Sequence, residues 1–209
     1  MNFLESLEWR YATKKMSGEK IADEQRANIL KAIQLAPSSM GFQPFTVLVI
    51  EDEATRAAIA PACYNQPQIT GSSAVLVFCA WTAFSEAQVD IYMQNIATTR
   101  GVDVESLAGF KGNLMGLAGQ KTPEQFQEWA ARQAYIALGF GLAVAATEGV
   151  DATPMEGFNP AALDEALGLA EKGLKSAVIL ALGKRDAAND YLVNAKKVRR
   201  NADEFFVFI

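Results

Sequence analysis

Basic side chains gather at two places in an otherwise acidic chain: Arg10, Lys14 and Lys15 near the start, and Lys196, Lys197, Arg199 and Arg200 near the end. A phosphate dianion needs several charge-assisted donors converging on it, and Lys197 and Arg199, two apart, would point to the same side of an extended segment. Phosphate binding is one reading of these clusters and a solvated surface is the other. The chain has no histidine. That excludes a Ser-His or Cys-His nucleophile, an imidazole general base and the common His-containing zinc sites. Cys63 and Cys79 are the only cysteines and form no CxxC, so neither a four-cysteine metal site nor a disulfide scaffold is available. No metal is expected, and a reducing cytoplasm suits the chain.

The net charge of −5 argues against nucleic acid and anionic membranes as partners. With 209 residues, 50% hydrophobic and 21% charged, the chain is expected to form one globular domain over 1–209 and no long disordered stretch. The N-terminal MNFLESLEWR lacks the basic stretch and long apolar core of a secretory signal, so it reads as part of the fold. The longest nearly apolar run, Ala134 to Ala146, falls short of the ~20 residues needed to cross a bilayer. Gly139-Phe140-Gly141 begins a dinucleotide fingerprint but does not complete it, because Val144 occupies the place of the third glycine and both glycines lie inside a helical run. Close helix packing is their expected role.

These candidate groups need elements to hold them. Phe3, Leu4 and Leu7 suit a short helix ending near Arg10. Ile29, Ala32, Ile33 and Ala36 follow helical spacing up to Pro37, whose ring stops the helix. Thr46–Ile50, Ala74–Ala80 and Ser176–Leu182 are β-branched runs without alternation, as expected of strands buried on both faces. Glu86–Arg100 carries Val89, Met93 and Ile96 at helical spacing. Thr122, Pro123 and Gln125 form a capping signature for a long helix that stops near Gly149. Asn159-Pro160 starts a short helix that Gly168 closes, and Phe205–Ile209 reads as a strand-like tail.

Several short segments then recur in a specific order: Arg10-Tyr11-Ala12-Thr13-Lys14; Ala36-Pro37-Ser38-Ser39 followed by Gln43-Pro44-Phe45; Asn65-Gln66-Pro67-Gln68; Gln133; Pro154-Met155-Glu156-Gly157-Phe158; and Lys197-Val198-Arg199-Arg200. Over almost the whole chain this order resembles the FMN-dependent nitroreductase family, in particular its oxygen-insensitive NAD(P)H nitroreductases. The resemblance implies an α+β fold with a central mixed, mostly antiparallel sheet flanked by helices, in an intertwined homodimer with FMN sites at the subunit interface.

It further implies that Arg10, Lys197 and Arg199 hold the FMN phosphate, with Tyr11 and Ala12 beside them. Lys14 would lie at the N1 and C2 carbonyl edge of the flavin, where its charge favours two-electron over one-electron transfer. Asn65 and Gln68 match the donors and acceptors of the pyrimidine edge; without the family context, Asn65 reads equally as a turn residue and Gln68 as a surface amide. Pro154, Glu156 and Gly157 would pass the ring with a backbone amide toward N5, which places Glu156 with Lys14 among the catalytic residues. Pro37, Ser38, Ser39 and Gln133 would reach FMN from the other subunit. The implied activity is ping-pong transfer from NADH or NADPH to nitroaromatics, quinones or related electron-poor small molecules.

Other readings share these cofactor residues: a reductive dehalogenase or enone reductase of the same fold, or a non-catalytic flavin-binding protein. Two positions depart from the family pattern. Ala12 stands where Ser is usual, leaving Thr13 or a backbone amide to take the hydroxyl's place, and Gln68 stands where a second lysine is often found. The glycine-spaced stretch 101–121 is expected to be a variable lid in which Phe110 and Met115 choose the acceptor, or else a helix hairpin packed as ordinary core. The tail 200–209 is expected to clasp the partner subunit.

Overall fold

The computed structural model describes residues 2–209. In chain order the elements are α1 (Phe3–Trp9), α2 (Asp23–Leu35), β1 (Phe45–Ile50), α3 (Glu53–Ile59), α4 (Pro67–Gly71), β2 (Ala74–Trp81) and α5 (Glu86–Arg100). They are followed by α6 (Ala108–Gly119), α7 (Pro123–Thr147), β3 (Asp151–Met155), α8 (Pro160–Ala166), β4 (Leu174–Gly183) and α9 (Ala202–Phe205). Local signals set many of the ends. The Thr122 hydroxyl accepts from the Gln125 amide while the Gln125 side chain accepts from the Thr122 amide, a reciprocal cap that starts α7. Ser85 and Gln88 do the same for α5, which ends where Gly101 turns left-handed at φ 66°.

The strands form one sheet in the order β1-β2-β4-β3, and every pairing is antiparallel. Helices cover both faces. On β2, Val75, Val77 and Cys79 join the core beneath α3, α4 and α8, whereas Ala74, Leu76 and Phe78 join the core beneath α2 and α7. This two-sided burial is why β2 and β4 read as continuous apolar runs. β1 corrects that expectation. It is an edge strand whose residues are mostly half-buried, with Val49 41% exposed. β3 was not anticipated, because Pro154 and Gly157 read as a loop. It pairs only with β4, and at an edge the missing proline amide leaves no ladder bond unmade.

Of the two helix glycines, Gly141 serves close packing, since a Cβ there would lie 2.9 Å from Ile33 at the α2–α7 contact; Gly139 faces open space. In the stretch 101–121, α6 packs through the fully buried Leu114 and Ala118, and Lys111 pairs with Glu86 at 2.8 Å and Asp90 at 2.6 Å on α5. Gly109, Gly112, Gly116 and Gly119 meet no neighbouring atom. The C-terminal segment also differs from expectation. Ala202–Phe205 is one helical turn, and no strand forms after it.

Candidate functional site

Residues 10–15 run beside the segment after β4 with a tight turn at Tyr11–Thr13 and a bend at Lys14, and two buried carboxylates fasten them there. Asp190 Oδ2 accepts from the Lys14 amide at 2.8 Å, the Lys15 amide at 3.3 Å and the Tyr11 hydroxyl at 3.0 Å. Its Oδ1 accepts from the Leu192 amide at 2.9 Å. Asp151, at the start of β3, accepts from Thr13 Oγ1 at 3.1 Å and pairs with the Arg185 guanidinium at 2.7 Å. The guanidinium is itself sandwiched between Trp9 and Tyr11, with its carbon 4.2 and 4.6 Å from the ring centroids. Burial, then the hydrogen bond to Asp190, pushes the Tyr11 phenol up to about 12, so it remains a donor at neutral pH.

This framework brings Arg10 to Lys197 and Arg199, across most of the chain's length. The three line one cavity with Tyr11, Ala12 and Arg185. Lys197 Nζ donates to the carbonyls of Leu7 and Arg10. Burial and then Arg199 lower the Arg10 pKa; burial, Arg10 and Arg199 lower that of Lys197. Mutual repulsion is therefore built into the cluster, and the buried Arg10 Nε has no partner among the described residues. An anion with several acceptor oxygens would satisfy both. Arg200 is turned away, its guanidinium over the Phe205 ring at 4.9 Å. The Thr13 hydroxyl is spent on Asp151, so it does not replace the hydroxyl absent at Ala12.

Lys14 is half-buried, and its ammonium has no ion-pair partner among the described residues. Tyr64 and Asn65 are both left-handed, at φ 54° and 51°, a strained turn that leaves the Asn65 side chain exposed just before α4. Gln68 is buried, and its Oε1 has no partner. Gln66, unremarked in the sequence, joins this turn to the next piece: its Nε2 donates to the Gly157 carbonyl at 2.6 Å and the Cys63 carbonyl at 3.2 Å. A Cβ at Gly157 would lie 3.3 Å from that nitrogen, so the close approach the glycine allows here is by Gln66. Pro154 ends inside β3, and beyond it the exposed Glu156 accepts at 2.6 Å from the Tyr135 hydroxyl of α7.

Pro37, Ser38 and Ser39 form a separate turn. The Ser39 amide donates to Gln133 Oε1 at 2.8 Å, and Gln133 Nε2 donates to the Trp129 carbonyl at 3.0 Å. Gln133 is thus a buried brace for the turn, with both ends of its amide engaged in its own chain. Ser38 Oγ accepts from the Gln43 amide, and Met40, Gly41 and Gln43 are all left-handed. No hydrogen bond or ion pair among the described residues joins this turn to the cation cluster. Phe110 and Met115 belong with the turn: they pack in one cluster with Met40, Phe42 and Met93, and the Phe110 and Tyr92 rings lie 6.3 Å apart.

Among the described residues no group of three or more His, Cys, Asp or Glu side chains could hold a metal, and no helix is long and apolar enough to cross a membrane. A family model for the nitroreductase family matches residues 7–184. A protein of Enterobacter cloacae named oxygen-insensitive NAD(P)H nitroreductase is 33% identical over 83% of this chain and 84% of its own length. The major NAD(P)H-flavin oxidoreductase of Aliivibrio fischeri is 28% identical over 99% of this chain and 98% of its own. Among solved structures, the FMN complex of a nitroreductase-like protein from Exiguobacterium sibiricum shares the fold, with a TM-score of 0.82 at 22% identity over 100% of this chain and 98% of that one.

Proposed function

The chain belongs to the nitroreductase family, and from that premise we propose that it is an FMN-dependent oxidoreductase that uses NADH or NADPH to reduce nitroaromatics, quinones or related electron-poor acceptors. The observation that carries this reading is the cluster of Arg10, Lys197 and Arg199, three cations that outnumber the one carboxylate of their cavity, Glu8, and form no ion pair among the described residues, beside a buried unpartnered Arg10 Nε. Both features suit the phosphate of FMN. Gln68, with its buried unpartnered oxygen, suits a donor on the pyrimidine edge of the ring, and the exposed Asn65 beside it offers a second amide.

FMN held there would supply the redox chemistry of two-electron transfer between nicotinamide and acceptor. The chain's own residues set place and potential. Lys14 brings a positive charge that favours negative charge on the group it faces. Glu156 is held by Tyr135, and Gly157 by Gln66, so the backbone from Pro154 to Gly157 keeps one path past the ring. No histidine is needed, because protons come from water. The reading includes a cytoplasmic homodimer in which the Pro37–Ser39 turn, braced by Gln133, serves the cofactor of the partner subunit. The names of the two relatives above support the donor and the cofactor.

On this reading the loop and helix over 101–121 form the lid, and Phe110 and Met115, beside the Met40–Phe42 turn, select the acceptor. Phe110→Ala and Met115→Ala are expected to reorder kcat/KM across a panel of nitroaromatics and quinones by about tenfold, roughly 1.4 kcal/mol of differential transition-state binding. FMN content and the rate of flavin bleaching by NADH or NADPH should stay near wild type. Steady-state kinetics combined with stopped-flow bleaching separates the two effects. An unchanged ranking in both variants would contradict the lid assignment.

A further inference from the structure

Three cations that repel one another do not stay together unless the surrounding backbone holds them. Arg10 lies on the N-terminal segment and Lys197 and Arg199 near the opposite end of the chain, so the clamp must join these two segments. Asp190 is the side chain placed to do so. It is 3% exposed, and its carboxylate accepts from three donors on residues 11–15 and from the Leu192 amide. The adjoining backbone supports the joint: the Asp186 amide donates to the Lys15 carbonyl at 2.9 Å, and the Asp190 amide to the Asp186 carbonyl at 2.8 Å.

We propose that Asp190 is the positioning residue of the phosphate site, its carboxylate locking residues 11–15 to 190–192 so that Arg10 faces Lys197 and Arg199 before any ligand arrives. The proposal rests on the reading that these cations take the FMN phosphate. Its chemistry requires a carboxylate. An asparagine amide would turn its NH2 either toward the Leu192 amide or toward the Tyr11, Lys14 and Lys15 donors, and donor would then face donor. Coulomb's law alone gives the opposite expectation, since removing a negative charge near a phosphate site should tighten phosphate binding. The sign of the effect therefore separates positioning from simple charge.

The test is titration of flavin-free protein with FMN and with riboflavin, which lacks the phosphate, followed by flavin fluorescence, for wild type, Asp190→Asn, Asp190→Glu and Lys197→Ala/Arg199→Ala. Asp190→Asn should weaken FMN by about tenfold or more, ~1.4 kcal/mol, and riboflavin, through the Lys14 backbone that Asp190 also holds, by clearly less. Asp190→Glu keeps the charge but misplaces the oxygens, so it should show the same greater loss for FMN than for riboflavin to a smaller degree, and it carries the test if Asp190→Asn does not fold. Equal losses for FMN and riboflavin, tighter FMN binding by Asp190→Asn, or failure of both Asp190 variants to fold would each overturn the proposal. If Lys197→Ala/Arg199→Ala loses the preference for FMN over riboflavin while the Asp190 variants keep it, the phosphate reading stands and the role of Asp190 falls. If Lys197→Ala/Arg199→Ala also keeps the preference, the phosphate reading itself falls.

Discussion

Protein carrying Lys197→Ala and Arg199→Ala together is expected to fold and to purify without FMN. A hydrogen bond to a charged partner contributes about 1.5–3 kcal/mol, so losing two should cost about 3–6 kcal/mol, roughly two to four orders of magnitude in affinity. Both side chains are exposed and lie outside the sheet and its two cores. The substitutions also relieve the repulsion on Arg10, so stability should change little. Retention of stoichiometric FMN with unchanged affinity would refute the phosphate assignment.

The second large effect is on assembly. Phe205, Phe206, Val207, Phe208 and Ile209 are all exposed, Phe208 to 93%, although Arg200 lies over the Phe205 ring and Phe205 meets Phe206 edge to face. Five large apolar side chains at the end of a chain are costly in water, and burying each contributes about 1.5–3 kcal/mol. The sheet leaves two edges on which an added strand could pair, β1 and β3. β3 contains Pro154, which cannot donate to a neighbour, whereas β1 has a full set of amides and an exposed Val49. The tail is therefore expected to dock on the partner subunit, with β1 as the favoured edge. Deleting residues 203–209 should raise the dimer dissociation constant by about a hundredfold or more, which sedimentation or mass photometry over a dilution series would read. A truncated protein that stays dimeric at nanomolar concentration and keeps its FMN would contradict this.

Much of the framework was legible because local chemistry and tertiary structure agree. The Thr122–Gln125 cap, the stop at Pro37 and the apolar runs of β2 and β4 each carry their own cause in a few adjacent residues. β3 was hidden because an edge strand tolerates the proline and short length that mark a loop elsewhere. β1 was over-read because an apolar run does not distinguish a central strand from an edge packed on one side. Of the site, the cations and amides were visible by type, but the groups that hold them were not. Asp190, Asp151 and Arg185 act across long sequence separations, and an aspartate near the C-terminus carries no local mark of four converging donors. Trp9 and Tyr11 flank Arg10 in sequence, yet the guanidinium they sandwich is that of Arg185, and only the fold shows that. Gln133 was read for its amide, and the fold spends that amide on the Ser39 turn.

The central claim is that the chain binds FMN and moves electrons from a reduced nicotinamide to an electron-poor acceptor. Its most direct test is to mix the FMN-loaded protein with NADH, and separately with NADPH, in the absence of oxygen while following the flavin absorbance near 450 nm. Rapid bleaching with at least one donor is expected, followed by return of the colour when a nitroaromatic or quinone is added. A protein that binds FMN stoichiometrically yet is not bleached by either donor would contradict it and leave a flavin-binding protein without this activity.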